Sequence, residues 1–367
     1  MTHPYSDLPA PAFWRTAVSE RNPLETSDLW SPKNALLPSD SVVTFGSCFA
    51  QHISRALRKN GFSWLDCEPG PNFASEKLRS RFNYGVFSAR TGNIYSAKAL
   101  LQWVKWSLGH ELVPSEVWER DGRFFDPFRP AIEPNGFASP DEVQASRNQT
   151  LKAFRKALTD SDLFVFTLGL TESWENAQRG FTYATCPGTN AGTFDPQAHV
   201  FRNYSYTDVH SHLQEALNLM RDVNPSVRIL LTVSPVPLTA TAAGKHVVVS
   251  TTYSKSVLRA VAGAVSDSWG AVDYFPSYEI ITAPSFRGMF YDPNMRTVSG
   301  RGVDFVMSHF MSGISEHSSG DVSKDGGTST PPAPVEKVAA SASVPEAEAE
   351  LDDIKCEEEI LEAFARK

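Results

Sequence analysis

SVVTFGSCFAQHISRALRKNGF, residues 41–62, decides how the rest of the chain is read. Its opening SVVTF (41–45) is a short apolar run rich in β-branched residues, the pattern of a strand buried on both faces. The residues that follow place Phe49, Ile53, Ala56 and Leu57 three and four apart, on one face of a helix, and Asn60-Gly61 supplies its C-terminal cap. Gly46 and Ser47 stand at the turn between them. A buried strand that turns at once into an amphipathic helix begins a parallel α/β sheet.

The same alternation continues downstream. Helical patterns occupy 96–108 and 140–161, and DLFVFTL (162–168) is the next buried strand. A helix over 207–225, capped by Thr207 and stopped by Pro225, leads to the strand VRILLTV (227–233). A helix at 254–267, a last strand within 271–281 and a closing helix at 301–311 complete the series. This predicts one domain, residues 41–313, with a mostly parallel sheet between helical layers, a three-layer α/β/α fold.

The ends differ in kind. Residues 1–40 are rich in Pro, Ser and Asp, and read as an extended arm held by Tyr5, Phe13, Trp14 and Trp30. Residues 316–367 hold 13 acidic and 5 basic side chains, so this segment alone accounts for the chain's net charge of −8. The remainder is balanced, which gives no basic footprint for nucleic acid. Residues 314–349 are poor in large apolar residues and predict a disordered acidic linker. In 350–367, Leu351, Ile354, Leu361 and Phe364 mark one face of a short amphipathic helix, a candidate site for a protein partner. Four scattered cysteines, Cys48, Cys67, Cys186 and Cys356, form no Cys-x-x-Cys pair and fit a reducing compartment. With no secretory leader and no membrane-length apolar run, the expected location is the cytoplasm. His199, His210 and His212 lack a companion cluster with ligand spacing, so neither metal nor cofactor is expected.

Ser47 is the leading candidate for chemistry. Side chains that act on ligands gather at the carboxyl ends of parallel strands. There a hydroxyl beside the free N–H groups of a helix start can attack a carbonyl while amides hold the oxyanion. Ser is also a favoured N-cap, so the turn alone also fits a purely structural role. Cys48 is a rival nucleophile that more naturally packs inward as a small hydrophobe.

The letters Gly46-Ser47-Cys48-Phe49-Ala50 resemble those that name the GSCFA family, a bacterial group similar to the SGNH (GDSL-like) hydrolases. FNYGVFSARTGNIYSA (82–97), FTLGLTESWE (166–175), LLTVSPVPLTAT (230–241), GKHVVVSTTYSKSVLRA (244–260) and DYFPSYEI (273–280) extend the resemblance over roughly 40–310. It implies a flavodoxin-like sheet with Ser47 as nucleophile and the Ser47 amide as an oxyanion donor. Gly85 resembles the second-block donor. Thr171, followed by Glu172, stands where a side-chain amide is usual. The late Asp-x-x-His is missing, since Met295 lies three residues after Asp292. The imidazole candidates are His246, on a loop that in the family carries a His before Ser254-Lys255, and His309. Glu172 and Glu279 are both candidates to orient His246. The resemblance thus implies a serine esterase or O-acyltransferase acting on a small-molecule or glycan ester. A non-catalytic glycan- or metabolite-binding protein and a tail-mediated adaptor are the alternatives.

Overall fold

The computed structural model describes residues 3–320 and 357–365. Strand β1 (Val42–Gly46) turns at Ser47 into α1 (Ala50–Lys59), followed by α2 (Glu76–Arg81) and α3 (Ala97–Leu108). A hairpin of β2 (Trp118–Arg120) and β3 (Arg123–Phe125) precedes α4 (Pro140–Asp160) and β4 (Leu163–Leu168). Three antiparallel strands come next: β5 (Glu172–Asn176), β6 (Thr182–Tyr183) and β7 (His199–Asn203). Then follow α5 (Tyr206–Val223), β8 (Arg228–Val233), α6 (Val247–Ser268), β9 (Val272–Phe275), α7 (Ser277–Thr282) and α8 (Gly300–Gly320).

The central sheet is parallel throughout, in the order β1-β4-β8-β9. A single parallel bridge from Trp64 to Val42 continues it on the free side of β1. Counting that stub, the first segment after α1 lies outside β1 and the later strands run the other way, the flavodoxin-like order. Successive side chains of a strand point to opposite faces, and both faces are covered. Val43, Phe45, Phe164, Phe166, Ile229 and Leu231 pack on the side of α3, α4, α5 and α6. Val42, Val165 and Leu230 pack on the other side with Ile53 and Leu57 of α1, Ile280 of α7, and Val306 and Phe310 of α8. The expected three-layer α/β/α architecture is therefore present. No helix among the described residues is long and apolar enough to cross a membrane.

Several boundaries differ from the sequence reading, each for a local reason. Helix α5 is capped by Ser205, in a reciprocal capping box with Asp208, rather than by Thr207. The segment 271–281 breaks at Pro276, where β9 gives way to α7. Helix α6 begins at Val247, seven residues early; the β-branched run VVVSTT is a poor intrinsic helix former whose propensity is overridden by context. Helix α8 runs past 313 to Gly320, with Ile314 buried. The linker expected over 314–349 lies, from 321 on, outside the described residues.

Of the four arm aromatics, Tyr5 and Trp14 are two-thirds exposed. Trp30 is the one that packs, stacking on Phe310 at 5.6 Å and meeting Phe275 edge-on at 5.0 Å. Behind α3, a wholly buried Asp126 receives Arg129 Nε and Arg147 Nη2, each at 2.8 Å. Arg129 also donates to the carbonyl of Arg90, at the start of the loop that runs to the site.

Candidate active site

Gly46 makes the turn possible. Its φ of +123° lies where side chains rarely fit, and a Cβ there would stand 2.4 Å from the carbonyl oxygen of Thr167. That approach lets the Ser47 N–H donate to the same carbonyl at 3.0 Å, extending the β1–β4 ladder by one residue. The expectation that this amide would hold an oxyanion is thereby corrected, because the donor is already engaged. The first α1 amides are also engaged: Ala50, Gln51 and His52 donate to the carbonyls of Ser47, Cys48 and Phe49.

The Ser47 side chain is 2% exposed, and its Oγ has no hydrogen-bond partner among the described residues. Leaving a buried hydroxyl unpaired costs about 1–3 kcal/mol, so natural proteins seldom do it without cause. Cys48 is buried as expected, but it is disulfide-bonded, whereas Cys67 and Cys186 are free thiols.

Two loops press on this turn. Ile94 donates its N–H to the Gly46 carbonyl at 2.8 Å, and the Tyr95 carbonyl accepts from Gly169 and Leu170 at 2.8 and 3.0 Å. Beside them stands Asn93, 4% exposed, with its Oδ1 unpartnered among the described residues. The β4–β5 loop is fastened from behind by α6. Lys255, 1% exposed, donates Nζ to the Gly169 carbonyl at 2.7 Å, and Ser254 Oγ accepts from the Thr171 N–H at 3.0 Å. The Ser-Lys pair of the sequence motif thus shapes the Ser47 neighbourhood.

The structure brings only some of the expected residues together. Thr171 lies in the right loop, but its N–H is committed to Ser254 and its hydroxyl donates to Asn203 Oδ1 at 2.8 Å. It therefore has no donor to spare for an oxyanion. Gly85 sits in a turn whose carbonyl receives Arg58 Nη2 from the far end of α1. Arg58 stands in the last turn of α1, at the end of the helix away from the Ser47 turn. The loop that does reach the Ser47 turn is Asn93-Ile94-Tyr95, in the same sequence motif but eight to ten residues later.

Glu172 accepts from Thr241 Oγ1 at 2.6 Å; burial pushes its carboxyl up, opposed by that hydroxyl and by the Ala242 N–H. Glu172 therefore clasps the loop leading to α6, yet it does not hold His246. That imidazole is exposed and caps α6, its Nδ1 accepting the Val248 N–H at 3.2 Å. Glu279 is likewise elsewhere, bound to Arg259 and the Tyr274 hydroxyl. Both ring nitrogens of His309 face carbonyls, those of Phe305 and Thr26, at 2.9 Å. Among the described residues, no group of three or more His, Cys, Asp or Glu could hold a metal ion.

Sequence reasoning missed a cavity of about 780 Å³ beside the turn. Strands β5–β7 form one wall with Trp174, Tyr183 and Phe201, while Gln102 and Trp103 of α3 face it. Asn93, Tyr95, Leu170 and Glu172 close the end toward Ser47, which itself lies one layer behind. No Lys, Arg or His lines the cavity among the described residues. From the C-terminal segment, the 3-10 helix Glu357–Phe364 contributes Ile360, Leu361 and Phe364 to the lining. The short helix expected there includes these residues, although Leu351 and Ile354 fall outside the described part.

The sequence model of the GSCFA family matches residues 41–310. No curated protein matches the chain. Among solved structures, an acetyl esterase mutant with acetate ion is similar at 12% identity, over 76% of this chain and 99% of that one. The TM-score is 0.33, and at that value the overlap says nothing about chemistry.

Proposed function

The chain belongs to the GSCFA family, and on that footing we propose that it performs acyl-ester chemistry on Ser47, as an SGNH-type serine esterase or O-acyltransferase. The observation that carries this reading is the Ser47 hydroxyl. It is buried and unpartnered among the described residues, at the C-terminal edge of a parallel sheet and one layer behind a roomy cavity. Ser47 Oγ attacks the ester carbonyl carbon while its proton passes to a base. The ester C–O bond then breaks, and the departing alkoxide takes that proton. Water or a second hydroxyl attacks the acyl-enzyme in turn. The absence of cationic side chains from the described cavity lining favours an uncharged ester, such as an acylated neutral sugar.

Within this proposal the oxyanion donor first assigned to Thr171 passes to Asn93, whose side chain borders the cavity beside the Ser47 turn. A side-chain amide suits that task, since it offers two N–H donors. His246 remains the proposed base, and in the structure its exposed imidazole caps α6. A serine-directed fluorophosphonate tests the nucleophile: it should add once, at Ser47, and the Ser47→Ala protein should not react. Attachment at another serine, with Ser47 unmodified, sinks the proposal.

A second reading, ligand binding without catalysis, draws on the spent donors of Thr171 and the exposed position of His246. Under it a neutral ligand binds the cavity equally well in Ser47→Ala, and Ser47 does not react with the probe.

A further inference from the structure

Three residues that line the cavity carry a buried polar atom with no hydrogen-bond partner among the described residues: Asn93 Oδ1, Thr185 Oγ1 and Thr239 Oγ1. They come from three separate segments, ahead of α3, after β6 and after β8. A buried polar atom left unpaired is disfavoured, and a valine would occupy either threonine position without that cost. Such atoms are rare in folded proteins. Three around one cavity indicate that a ligand supplies the partners.

The second observation is a row of aromatic rings. Trp174 of β5 stands directly across from Tyr183 of β6 on one side and Phe201 of β7 on the other. Residues paired in this way share a face of the sheet, and all three line the cavity. Phe194 meets Trp174 edge-on at 5.3 Å and braces it. With strands about 4.8 Å apart, the row spans about 10 Å, the length of a disaccharide.

These features select among ligands. The face of an aromatic ring is electron-rich and attracts the weakly positive C–H groups of a sugar ring. A sugar hydroxyl both donates and accepts, so it can pair with a threonine hydroxyl or an amide oxygen. No Lys, Arg or His stands in the described lining, while Glu172 and Glu362 do, which disfavours an acidic or phosphorylated group. An acyl chain would suit the rings but leave all three polar atoms unpaired.

We infer that the cavity is a carbohydrate subsite, with neutral sugar units lying on the Tyr183–Trp174–Phe201 row and with Thr185 and Thr239 as specificity-determining residues. Rotation of each threonine about Cα–Cβ, from one staggered position to another, turns its hydroxyl toward the ligand. The inference rests on the proposed ester chemistry only in directing the acylated hydroxyl toward Ser47; sugar binding itself does not require it.

Saturation-transfer NMR on the full chain tests this. The probes are the β-methyl glycosides of glucose, galactose, mannose and N-acetylglucosamine, with cellobiose as the disaccharide and decanol as the acyl-chain mimic. At least one sugar should bind, and more tightly than decanol. Thr185→Val and Thr239→Val should each weaken that sugar about fivefold, while the urea midpoint holds or rises because an unpaired hydroxyl is gone. A purely structural threonine would instead lower the midpoint and leave sugar affinity unchanged. Binding of no sugar in the panel overturns the inference, as does tighter binding of decanol or unaltered affinity in both valine variants. Sugar binding without fluorophosphonate labelling of Ser47 keeps the subsite and sinks the ester reading alone; labelling without sugar binding does the reverse.

Discussion

Gly169 bears directly on Ser47: a methyl group in place of its hydrogen would stand 3.1 Å from Ser47 Cβ and from Tyr95 Cδ1, and 3.2 Å from the Tyr95 carbonyl. The backbone oxygen cannot step aside, so Ser47 must.

Gly169→Ala should therefore displace the Ser47 turn and cost about 1–3 kcal/mol by overpacking. Urea unfolding measures the cost, and fluorophosphonate labelling of Ser47 should slow in the folded variant. Unchanged stability and labelling together would show that the turn has room to spare.

Asn93 and Thr171 make opposite predictions. If Asn93 supplies the oxyanion donor, Asn93→Ala should lower kcat by a factor of about 10² to 10³ on an activated ester. Thr171→Val should keep the rate within a few-fold but lose about 1–3 kcal/mol of stability, because Asn203 is left without its donor. The reverse pattern would return the role to Thr171.

His246 has two tasks to separate, since it also caps α6. His246→Asn preserves a capping side chain and should still lose a factor of about 10² to 10⁴ in rate if the imidazole is the base. His309→Ala should keep the rate and instead expose the N-terminal arm to limited proteolysis, because Nε2 no longer meets the Thr26 carbonyl. Full activity in His246→Asn would remove it from the mechanism.

Two carboxylates should bend the stability curve in opposite directions. Burial alone would raise the Asp126 carboxyl, but Arg147 and Arg129 outweigh it and hold the group below the usual range. Its stabilisation is complete above the unfolded value of about 3.9 and is lost as pH falls through the lower folded value. Asp126→Asn should cost about 3–5 kcal/mol at neutral pH, since two buried guanidinium groups lose their partner. Glu172 is raised by burial, so the folded state prefers its protonated form. Glu172→Gln should gain stability relative to wild type as pH rises above about 4.3, levelling off past the folded value. Denaturant melts from about pH 3 to about pH 8 check both.

The strands β1, β4 and β8 were legible because each is buried on both faces and so reads as an unbroken apolar run. The Ser47 turn was legible for the same reason, since it follows the first of them. Strands β5 and β7 were not: ESWEN and HVFRN are half-exposed and mostly polar, with no unbroken apolar run to mark them. The cavity they wall is built from segments distant in sequence, which no local pattern announces. Asn93 stood inside a recognised motif without a role, because only its contact partners distinguish it from a turn residue.

Trp30 closes the molecule in time as well as in space. Its partners Phe275 and Phe310 are made 245 and 280 residues later. At about 5–20 residues per second of synthesis, the indole waits roughly 15 to 60 seconds for a surface to stack on. Through that interval the α1–α7–α8 layer is incomplete, and the apolar face of β1 stays open to other chains. Expression yield should therefore depend on what shields the nascent amino-terminal half, more than on the strength of the finished core.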